Sequence, residues 1–345
     1  MTSRAHLGVI AFLSTEMDAR ALRAALDFGL IETLAAAPAD MGQLSRRSRL
    51  APRSLALLVD MLEANRVIVR DGDVLRLTPA FRDALRFRDL LEARIAFADL
   101  VWPDIHSLFN ALLADAPQFM ARSKTFDLFR YDRCFELSAE NRAATQAWTR
   151  FTTCLTKYEA DAALDEIDLD GVGDFVDLGG NTGEFSLALL RRRPDLLATV
   201  VDLPVVCAIG RDHVAAIAPA QAAAIAFHDC DMRRDPLPAP ADLVAFKSAL
   251  HDWPDADARR LLARARDVVR PGGRLMIFER APLHFRSGRP PYGLAPDLMF
   301  LHFLRHPALY LETLGELGFV DIDCRRIALE VDFHFIVARR PEASP

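Results

Sequence analysis

The spacing of apolar residues divides the chain into a helical first half and a second half in which strands and helices alternate. Up to about residue 165, apolar side chains recur every three or four positions, which is the helical pattern. We predict a helix over residues 19–36 that ends before Pro38, a short helix over 44–50, and a helix over 53–65 that Pro52 opens.

Two β-rich runs follow, at residues 67–70 and 74–77, with Asp71-Gly72-Asp73 between them. An Asp-Gly turn between such runs predicts a hairpin. Helix, short helix, helix and hairpin is the order of a winged helix-turn-helix, a module that binds DNA in many proteins. Residues 41–70 also carry six arginines against two acidic residues. This pattern leaves two interpretations open, a DNA-binding module and a dimerisation module with a basic, solvated face.

Residues 90–165 are predicted to be helical and are rich in aromatic side chains. Tryptophan, phenylalanine or tyrosine occupies positions 102, 109, 119, 126, 129, 131, 148, 151 and 158. Such rings form ordinary core, and they also form the wall of a pocket for a flat, apolar ligand.

From about residue 172, apolar runs predict strands at 175–178, 198–201, 224–228, 243–246 and 274–278. Helices are predicted over 184–193, after Pro204, and over 255–269. Strands at 319–327 and 331–338 lie too close in sequence for a crossover helix, so they should pair antiparallel. The predicted fold class is therefore α/β, a doubly wound, Rossmann-like parallel sheet closed by an antiparallel C-terminal hairpin.

Composition narrows the function classes. The 345 residues include 42 basic and 48 acidic side chains, and the net charge of −6 argues against nucleic acid or an anionic membrane as a partner. No apolar run reaches the roughly 18–20 residues of a membrane helix, and the short apolar stretch at 7–13 lacks the pattern of a signal peptide. Five cysteines without C-x-x-C spacing argue against a zinc site or a disulfide framework and favour a reducing cytoplasm.

Candidate chemistry begins after the first predicted strand of the second half. Asp177-Leu178-Gly179-Gly180-Asn181-Thr182-Gly183 lies between a strand and a helix, where glycines let the backbone approach a ligand closely. The spacing is not the dinucleotide fingerprint G-x-G-x-x-G. Asp177 favours a cationic ligand, Asp202 ends the next strand at the usual position for holding ribose hydroxyls, and Asp231 ends the third.

The chain resembles the class I S-adenosylmethionine-dependent O-methyltransferases, in particular the plant caffeate-type enzymes and their bacterial small-molecule relatives. The resemblance rests on segments that fall in family order over nearly the whole chain: ALDFGLIETLA, LLVDMLEANRVIVRDGDVLRLTP, VDLGGNTGEFSLALLRRRPDLLATVVDLPVV, DCDM, FKSALHDWPDADARRLLARARDVVRPGGRLMIFE and ETLGELGF. It implies a winged-helix dimerisation domain over 1–92, a helical connector over 93–165 that contributes to the substrate pocket, and a catalytic domain over 166–345.

The resemblance also implies S-adenosyl-L-methionine as cofactor and assigns residues to its parts. Asp177, Gly179, Gly180 and Gly183 would surround the methionine part. Asp202, with Leu203 beside it, would hold the ribose, and Asp231 and Met232 would flank the adenine. Lys247 would contact the cofactor and Trp253 would help to cover the adenine. Asn181 stands where the family usually has glycine, and Asn tolerates left-handed backbone angles better than most residues. No metal is predicted.

For catalysis, the resemblance makes His251 the general base and Glu279 the acid that orients it. A histidine with a pKa near 6.5 can remove a phenolic proton at neutral pH. Residues expected near the acceptor are Asp252, Met299, His302, Phe303 and His306. The sequence departs from the family at 304–308, where a second acid usually supports the base and Leu304-Arg305-His306-Pro307-Ala308 contains no carboxylate.

The expected protein is therefore a cytoplasmic homodimer that methylates a hydroxyl of an aromatic secondary metabolite. The departure at 304–308 keeps two alternatives open on the same scaffold, a C-methyltransferase and a relative that binds the cofactor without transferring its methyl group. A third alternative is a regulator that combines a DNA-binding winged helix with an α/β domain acting as a ligand sensor.

Overall fold

The computed structural model describes residues 4–284 and 288–342. Their contacts divide them into two compact units. Unit 1 consists of residues 4–109 and 288–299, and unit 2 consists of residues 110–284 and 300–342. Within the described residues, no helix is both long enough and apolar enough to cross a membrane. The three-part division at 92 and 165 stays a prediction.

Unit 1 combines short helices with a small antiparallel sheet. Its elements are a 3₁₀ segment at Arg4–Phe12, then α1 (Glu16–Asp27), α2 (Leu30–Ala36), β1 (Ala39–Asp40), α3 (Met41–Ser48), α4 (Pro52–Ala64), β2 (Ile68–Asp71), β3 (Val74–Leu77), α5 (Pro79–Ala84) and most of α6 (Arg88–Ala114). The sheet order is β1-β3-β2. The hairpin predicted around Gly72 is confirmed, and β1 adds a third strand that was not predicted.

Two helix predictions in unit 1 are wrong in their bounds. The single helix expected over 19–36 is two helices, because Gly29 adopts a left-handed φ of 72° between α1 and α2. The short helix expected over 44–50 begins at Met41, because the side chain of Asp40 accepts a hydrogen bond from the Gln43 amide and caps the helix three residues earlier. The helix that begins at Pro52 is confirmed.

Unit 2 contains a seven-stranded sheet of order β6-β5-β4-β7-β8-β10-β9. Strands β4 (Asp174–Leu178), β5 (Leu197–Asp202), β6 (Ile225–Asp229), β7 (Ala241–Lys247) and β8 (Val269–Arg280) are parallel, whereas β10 (Asp332–Arg339) pairs antiparallel with β8 and with β9 (Val320–Ala328). The predicted α/β fold with an antiparallel hairpin is confirmed. Strand β8 is longer than the predicted 274–278, because it starts at Val269 and runs through Pro271-Gly272-Gly273.

Helices cover both faces of this sheet, so its strands alternate between two buried cores. Unit 2 contains α7 (Ala116–Arg122), α8 (Ala139–Leu164), α9 (Glu184–Arg192), α10 (Pro204–Ile217), α11 (Asp255–Val268) and α12 (Ala308–Glu316), of which α8 to α12 pack on the sheet. One core joins Phe175 and Phe278 of the sheet to α8 and α9, and the other joins Val176 and Phe246 to α11 and α12. The parallel strands are thereby held in register with their carboxyl ends at one edge, where the candidate site residues follow.

Candidate active site

The loop after β4 needs small residues at two positions because side chains crowd it. A Cβ added at Gly179, where φ is 72°, would lie 2.8 Å from the Cβ of Ala249. A Cβ added at Gly180 would lie 2.6 Å from the Cγ of Asp177. Asn181 adopts a left-handed φ of 53°, as its identity predicted, and α9 begins immediately after the left-handed Gly183. The Asp177 carboxylate therefore lies directly against the backbone of this loop, just before the start of α9.

Asp177 is fully buried and only half satisfied. Its Oδ2 accepts a hydrogen bond from the Ser186 hydroxyl at 3.1 Å, while its Oδ1 has no partner among the described residues. Burial raises the pKa of Asp177 to about 7, although the Ser186 hydrogen bond opposes the rise. A buried carboxylate oxygen that lacks a donor fits a ligand that carries positive charge or donates a hydrogen bond.

Asp202 sits at the end of β5 and fixes the same loop. Its Oδ2 accepts a hydrogen bond from the Asn181 amide, and its Oδ1 accepts one from the Leu203 amide, both at 2.8 Å. Burial raises the pKa of Asp202 to about 6, and these two hydrogen bonds limit the rise. Since a carboxylate offers about four acceptor sites, the oxygens retain the capacity to accept hydroxyl donors as predicted for a ribose.

The carboxylate of Asp231 is occupied by arginine side chains, and its predicted place beside the adenine stays a prediction. Arg233 holds it with two side-chain hydrogen bonds of 2.8 Å, and the Arg233 amide and Arg234 guanidinium add contacts at 3.1 Å. Burial raises the pKa of Asp231, but these contacts outweigh it and the net pKa is below its usual value. The Arg233 guanidinium also lies 4.5 Å from the ring centroid of Trp253, whose buried Nε1 has no partner among the described residues.

The two remaining predicted cofactor residues lie on either side of this region. The Met232 Cε is 3.7 Å from the position of a Cβ on Gly179, so its side chain packs on the glycine loop. Lys247 is buried at the end of β7, where its ammonium pairs with Glu159 and donates to Thr156 Oγ1 at 2.9 Å. Burial lowers the pKa of Lys247, with Glu159 opposing this effect. The structure thus gives Lys247 a partner on α8 that the sequence did not indicate.

His251 and Glu279 are brought together, as predicted, by the ends of β7 and β8. Glu279 Oε2 lies 2.6 Å from His251 Nδ1, and Oε1 accepts hydrogen bonds from the amides of Ala249 and Leu250 at 2.8 and 2.7 Å. Burial raises the pKa of Glu279, but His251 and the amide donors outweigh it, so the net pKa is lowered. Burial lowers the pKa of His251, and the neighbouring Asp252 and Glu279 carboxylates outweigh it, so that pKa is raised.

Asp252 lies on the other side of the imidazole. Its Oδ1 is 3.4 Å from His251 Nε2, and its Oδ2 accepts a hydrogen bond from the Tyr131 hydroxyl at 2.8 Å. The sequence carries no signal for this contact, because Tyr131 is 121 positions from Asp252 and belongs to no motif. Arg305, at the departure from the family pattern, donates to the Leu250 carbonyl at 2.7 Å and pairs with Asp255.

The residues predicted near the acceptor are placed unevenly. Phe303 stacks on Phe126 with ring centroids 5.5 Å apart, within the same unit as His251. His302 is exposed and hydrogen-bonded to the Leu112 carbonyl, and His306 is exposed and accepts from the Ala308 amide. Met299 is fully buried in unit 1. The ring of Phe300, next to Met299 in sequence, lies edge-on to the His251 imidazole, with ring centroids 6.5 Å apart.

A parallel sheet with a crowded glycine loop after one strand and a carboxylate closing the next defines a nucleoside-binding α/β domain. A histidine–carboxylate pair, His251 and Glu279, lies at the same edge. The family model described as the O-methyltransferase domain matches residues 107–315, which is more than half of the chain. The protein therefore belongs to the O-methyltransferase family, whose members depend on S-adenosylmethionine.

Curated relatives and solved structures agree with this assignment. The chain is 29% identical to the 3-hydroxy-5-methyl-1-naphthoate 3-O-methyltransferase of Streptomyces sahachiroi over 75% of this chain and 72% of that protein. It is 35% identical to the acetylserotonin O-methyltransferase of Bos taurus over 49% of each chain. Its fold is similar to that of human N-acetylserotonin methyltransferase in complex with S-adenosylmethionine, with a TM-score of 0.71 and 21% identity over 94% of each chain.

The cofactor of the family fits the residues present. The unpartnered Oδ1 of Asp177 and the free acceptor capacity of Asp202 suit the charged methionine part and the ribose. Gly179 and Gly180 let the loop backbone pack directly against Ala249 and Asp177, where a Cβ would lie 2.8 and 2.6 Å from those side chains. At the predicted adenine end, Arg233 holds the Asp231 carboxylate with two hydrogen bonds of 2.8 Å.

Proposed function

We propose that this enzyme methylates a hydroxyl of an aromatic small molecule and that His251 is its general base. The observation that carries the proposal is the contact between His251 Nδ1 and Glu279 Oε2 at 2.6 Å, with Glu279 fixed by two backbone amides. A carboxylate on Nδ1 keeps the proton on that nitrogen and leaves Nε2 as the acceptor. This is the tautomer that a base needs.

The chemistry asked of the protein is limited. When bound, S-adenosylmethionine supplies a methyl group on a positively charged sulfur, and transfer to the acceptor oxygen leaves a neutral thioether. His251 Nε2 takes the hydroxyl proton, so that the oxygen bears the electron pair that forms the new carbon–oxygen bond. Glu279 then stabilises the imidazolium until its proton passes to solvent. The remaining contribution is alignment of the acceptor.

Aromatic side chains beside His251 support a flat acceptor. Phe300 contacts the imidazole edge-on, and its ring lies 6.1 Å from Phe129 and 6.3 Å from Phe303. Phe303 in turn stacks on Phe126. Such rings give large, rigid contact area to a planar ligand. The names of two relatives, a naphthoate and an acetylserotonin O-methyltransferase, indicate acceptors with aromatic rings in those proteins.

The proposal extends to assembly and location. A homodimer through the N-terminal module is supported by apolar side chains exposed on unit 1, among them Met17, Phe28 and Leu57. A reducing cytoplasm is supported by five cysteines, none of which forms a disulfide within the described residues. The net charge of −6 argues against DNA as a partner. Sedimentation of the purified protein, and of a Leu57→Glu variant, tests the dimer; a monomer in the unmodified protein would contradict it.

The experiment for activity is incubation with S-adenosylmethionine and a panel of hydroxynaphthoates and other phenols, followed by mass spectrometry. The expected result is a product heavier by one methylene, with S-adenosylhomocysteine formed in equal amount and the methyl carbon bonded to oxygen by NMR. A methyl bonded to carbon would establish C-methylation instead. Cofactor binding with no product across the panel would contradict the proposal and favour a non-methylating relative.

A further inference from the structure

The base His251 faces a carboxylate on each ring nitrogen. Glu279 lies on Nδ1 at 2.6 Å, and Asp252 Oδ1 lies 3.4 Å from Nε2. The second carboxylate therefore comes from the residue adjacent to the base and not from the segment 304–308. There Arg305 instead ties the Leu250 carbonyl to Asp255. Two carboxylates, Glu279 and Asp252, thus flank the His251 imidazole.

Asp252 is held in place by a residue far away in sequence. The Tyr131 hydroxyl donates to Asp252 Oδ2 at 2.8 Å, which leaves Oδ1 toward the imidazole. The Tyr131 ring is itself fixed, because it packs edge-on against Trp148 at 5.6 Å and tilted against Trp253 at 6.0 Å. Two indole rings and one hydrogen bond therefore set the orientation of the carboxylate.

We propose that Tyr131 is a positioning residue that holds Asp252 against Nε2 of His251, and that Asp252 supplies the second carboxylate of the site. This inference rests on the proposed role of His251 as base. At 3.4 Å the contact is longer than an ordinary hydrogen bond, so Nε2 stays able to receive the acceptor proton. Once protonated, Nε2 carries positive charge beside Asp252, and the pair stabilises the imidazolium. Tyr131 donates its own proton and remains neutral throughout.

Electrostatics around the imidazole agree with this arrangement. Glu279 and Asp252 raise the pKa of His251, and Arg280, the neighbour of Glu279 on β8, lowers it. Burial raises the pKa of Asp252, and His251 and the Tyr131 hydrogen bond oppose this only in part, so the net pKa is above its usual value. Asp202 acts on Tyr131 and Asp252 from the end of β5, and Tyr310 and His334 act on Glu279 from α12 and β10. The Tyr131 hydroxyl is therefore one of the groups that favour the charged form of Asp252 against the effect of burial.

The test measures the His251 imidazole directly. Full-length protein labelled with ¹⁵N-histidine is titrated by NMR without ligand, and the His251 signal is assigned from its loss in His251→Ala. Tyr131→Phe removes the hydroxyl but keeps the ring, so Asp252 should become harder to ionise and the pKa of His251 should fall. Asp252→Asn should lower it in the same direction. In the Asp252→Asn background, Tyr131→Phe should produce no further fall, because the hydroxyl acts only through Asp252.

Turnover gives a second readout. Tyr131→Phe should lower kcat about tenfold, the effect of one hydrogen bond to a charged group, and should move the acid limb of kcat/KM to lower pH. An unchanged His251 titration in Tyr131→Phe, or an equal further fall in the Asp252→Asn background, would overturn the inference. If Tyr131→Phe does not fold, an Asp252→Asn protein with the titration of the unmodified protein overturns it equally. Full turnover of His251→Ala would instead remove the proposed base, so the two failures are distinguishable.

Discussion

Replacing Glu279 by glutamine tests how the imidazole is held, because it changes one atom of a fully buried side chain that contacts His251. The carboxylate accepts three hydrogen bonds, two from the amides of Ala249 and Leu250 and one from His251 Nδ1. A glutamine side chain has one oxygen and one NH₂ group. If the oxygen meets the two amides, the NH₂ faces Nδ1, which must then accept a hydrogen bond. The imidazole proton moves to Nε2, and that nitrogen can no longer act as a base.

The magnitude follows from the interactions removed. General-base catalysis contributes roughly 10²- to 10⁴-fold, and a hydrogen bond to a charged group contributes about 1.5–3 kcal/mol. We therefore expect Glu279→Gln to lower kcat by about 10²- to 10⁴-fold. The loss of a carboxylate that raises the pKa of His251 should also move the acid limb of the pH profile to lower pH. Affinity for S-adenosylmethionine should be unchanged, because the described hydrogen bonds of Glu279 are with two backbone amides and His251.

The assay combines steady-state methyl transfer with calorimetric titration of S-adenosylmethionine. Glu166→Gln is the matched control, since Glu166 forms a surface ion pair with Arg325 at 2.8 Å and such pairs are worth about 0–1 kcal/mol. The control should keep kcat and affinity. A Glu279→Gln enzyme with kcat within a few-fold of the unmodified enzyme would refute the tautomer argument. Loss of cofactor affinity in parallel would show that Glu279 acts on the fold of the site.

Three further predictions concern Asp177, Asp202 and Gly180, the residues at and after the ends of β4 and β5. Asp177→Asn should abolish cofactor binding and should stabilise the ligand-free protein by on the order of a few kcal/mol above pH 7. The pKa of Asp177 is raised from 3.8 to about 7, so its carboxylate destabilises the fold as pH rises through that window. The gain in melting temperature should therefore shrink as pH falls towards 4. Asp202→Asn should raise the dissociation constant for S-adenosylmethionine by roughly 10- to 150-fold in calorimetry, and an unchanged constant would remove Asp202 from the ribose site. Gly180→Ala should lower the melting temperature and the cofactor affinity together, because the added Cβ would lie 2.6 Å from the Asp177 Cγ. Unchanged values would show that the loop can shift to accept the methyl group without cost.

The sequence predicts most of this fold because its elements carry local signals. The hairpin around Gly72 and the antiparallel pair at the C-terminus follow from short connections and alternating apolar residues. The predicted bounds are wrong where local residues interrupt or contradict the pattern of apolar positions. Gly29 splits a pattern that looks continuous. The Pro271-Gly272-Gly273 turn signal lies inside a strand because β7 pairs with β8 both before it, at Val269, and after it, from Arg274.

The candidate site divides in the same way. The glycine loop, Asp202, His251 and Glu279 follow strand ends, so sequence position alone places them at one sheet edge. The partners of these residues could not be predicted, because they come from other elements. Tyr131 meets Asp252 across 121 positions, and Glu159 meets Lys247 across 88. Arg233 is only two positions from Asp231 in sequence, but only the structure shows that it occupies the carboxylate.

The most direct test of the central claim is the turnover of His251→Ala with an acceptor identified in the phenol panel, measured beside its affinity for S-adenosylmethionine. Removing the general base should lower kcat by at least about 10²-fold at neutral pH. Cofactor affinity should remain that of the unmodified enzyme, since the described contacts of His251 are with Glu279, Asp252 and Phe300. A His251→Ala enzyme with normal turnover would contradict the proposed mechanism.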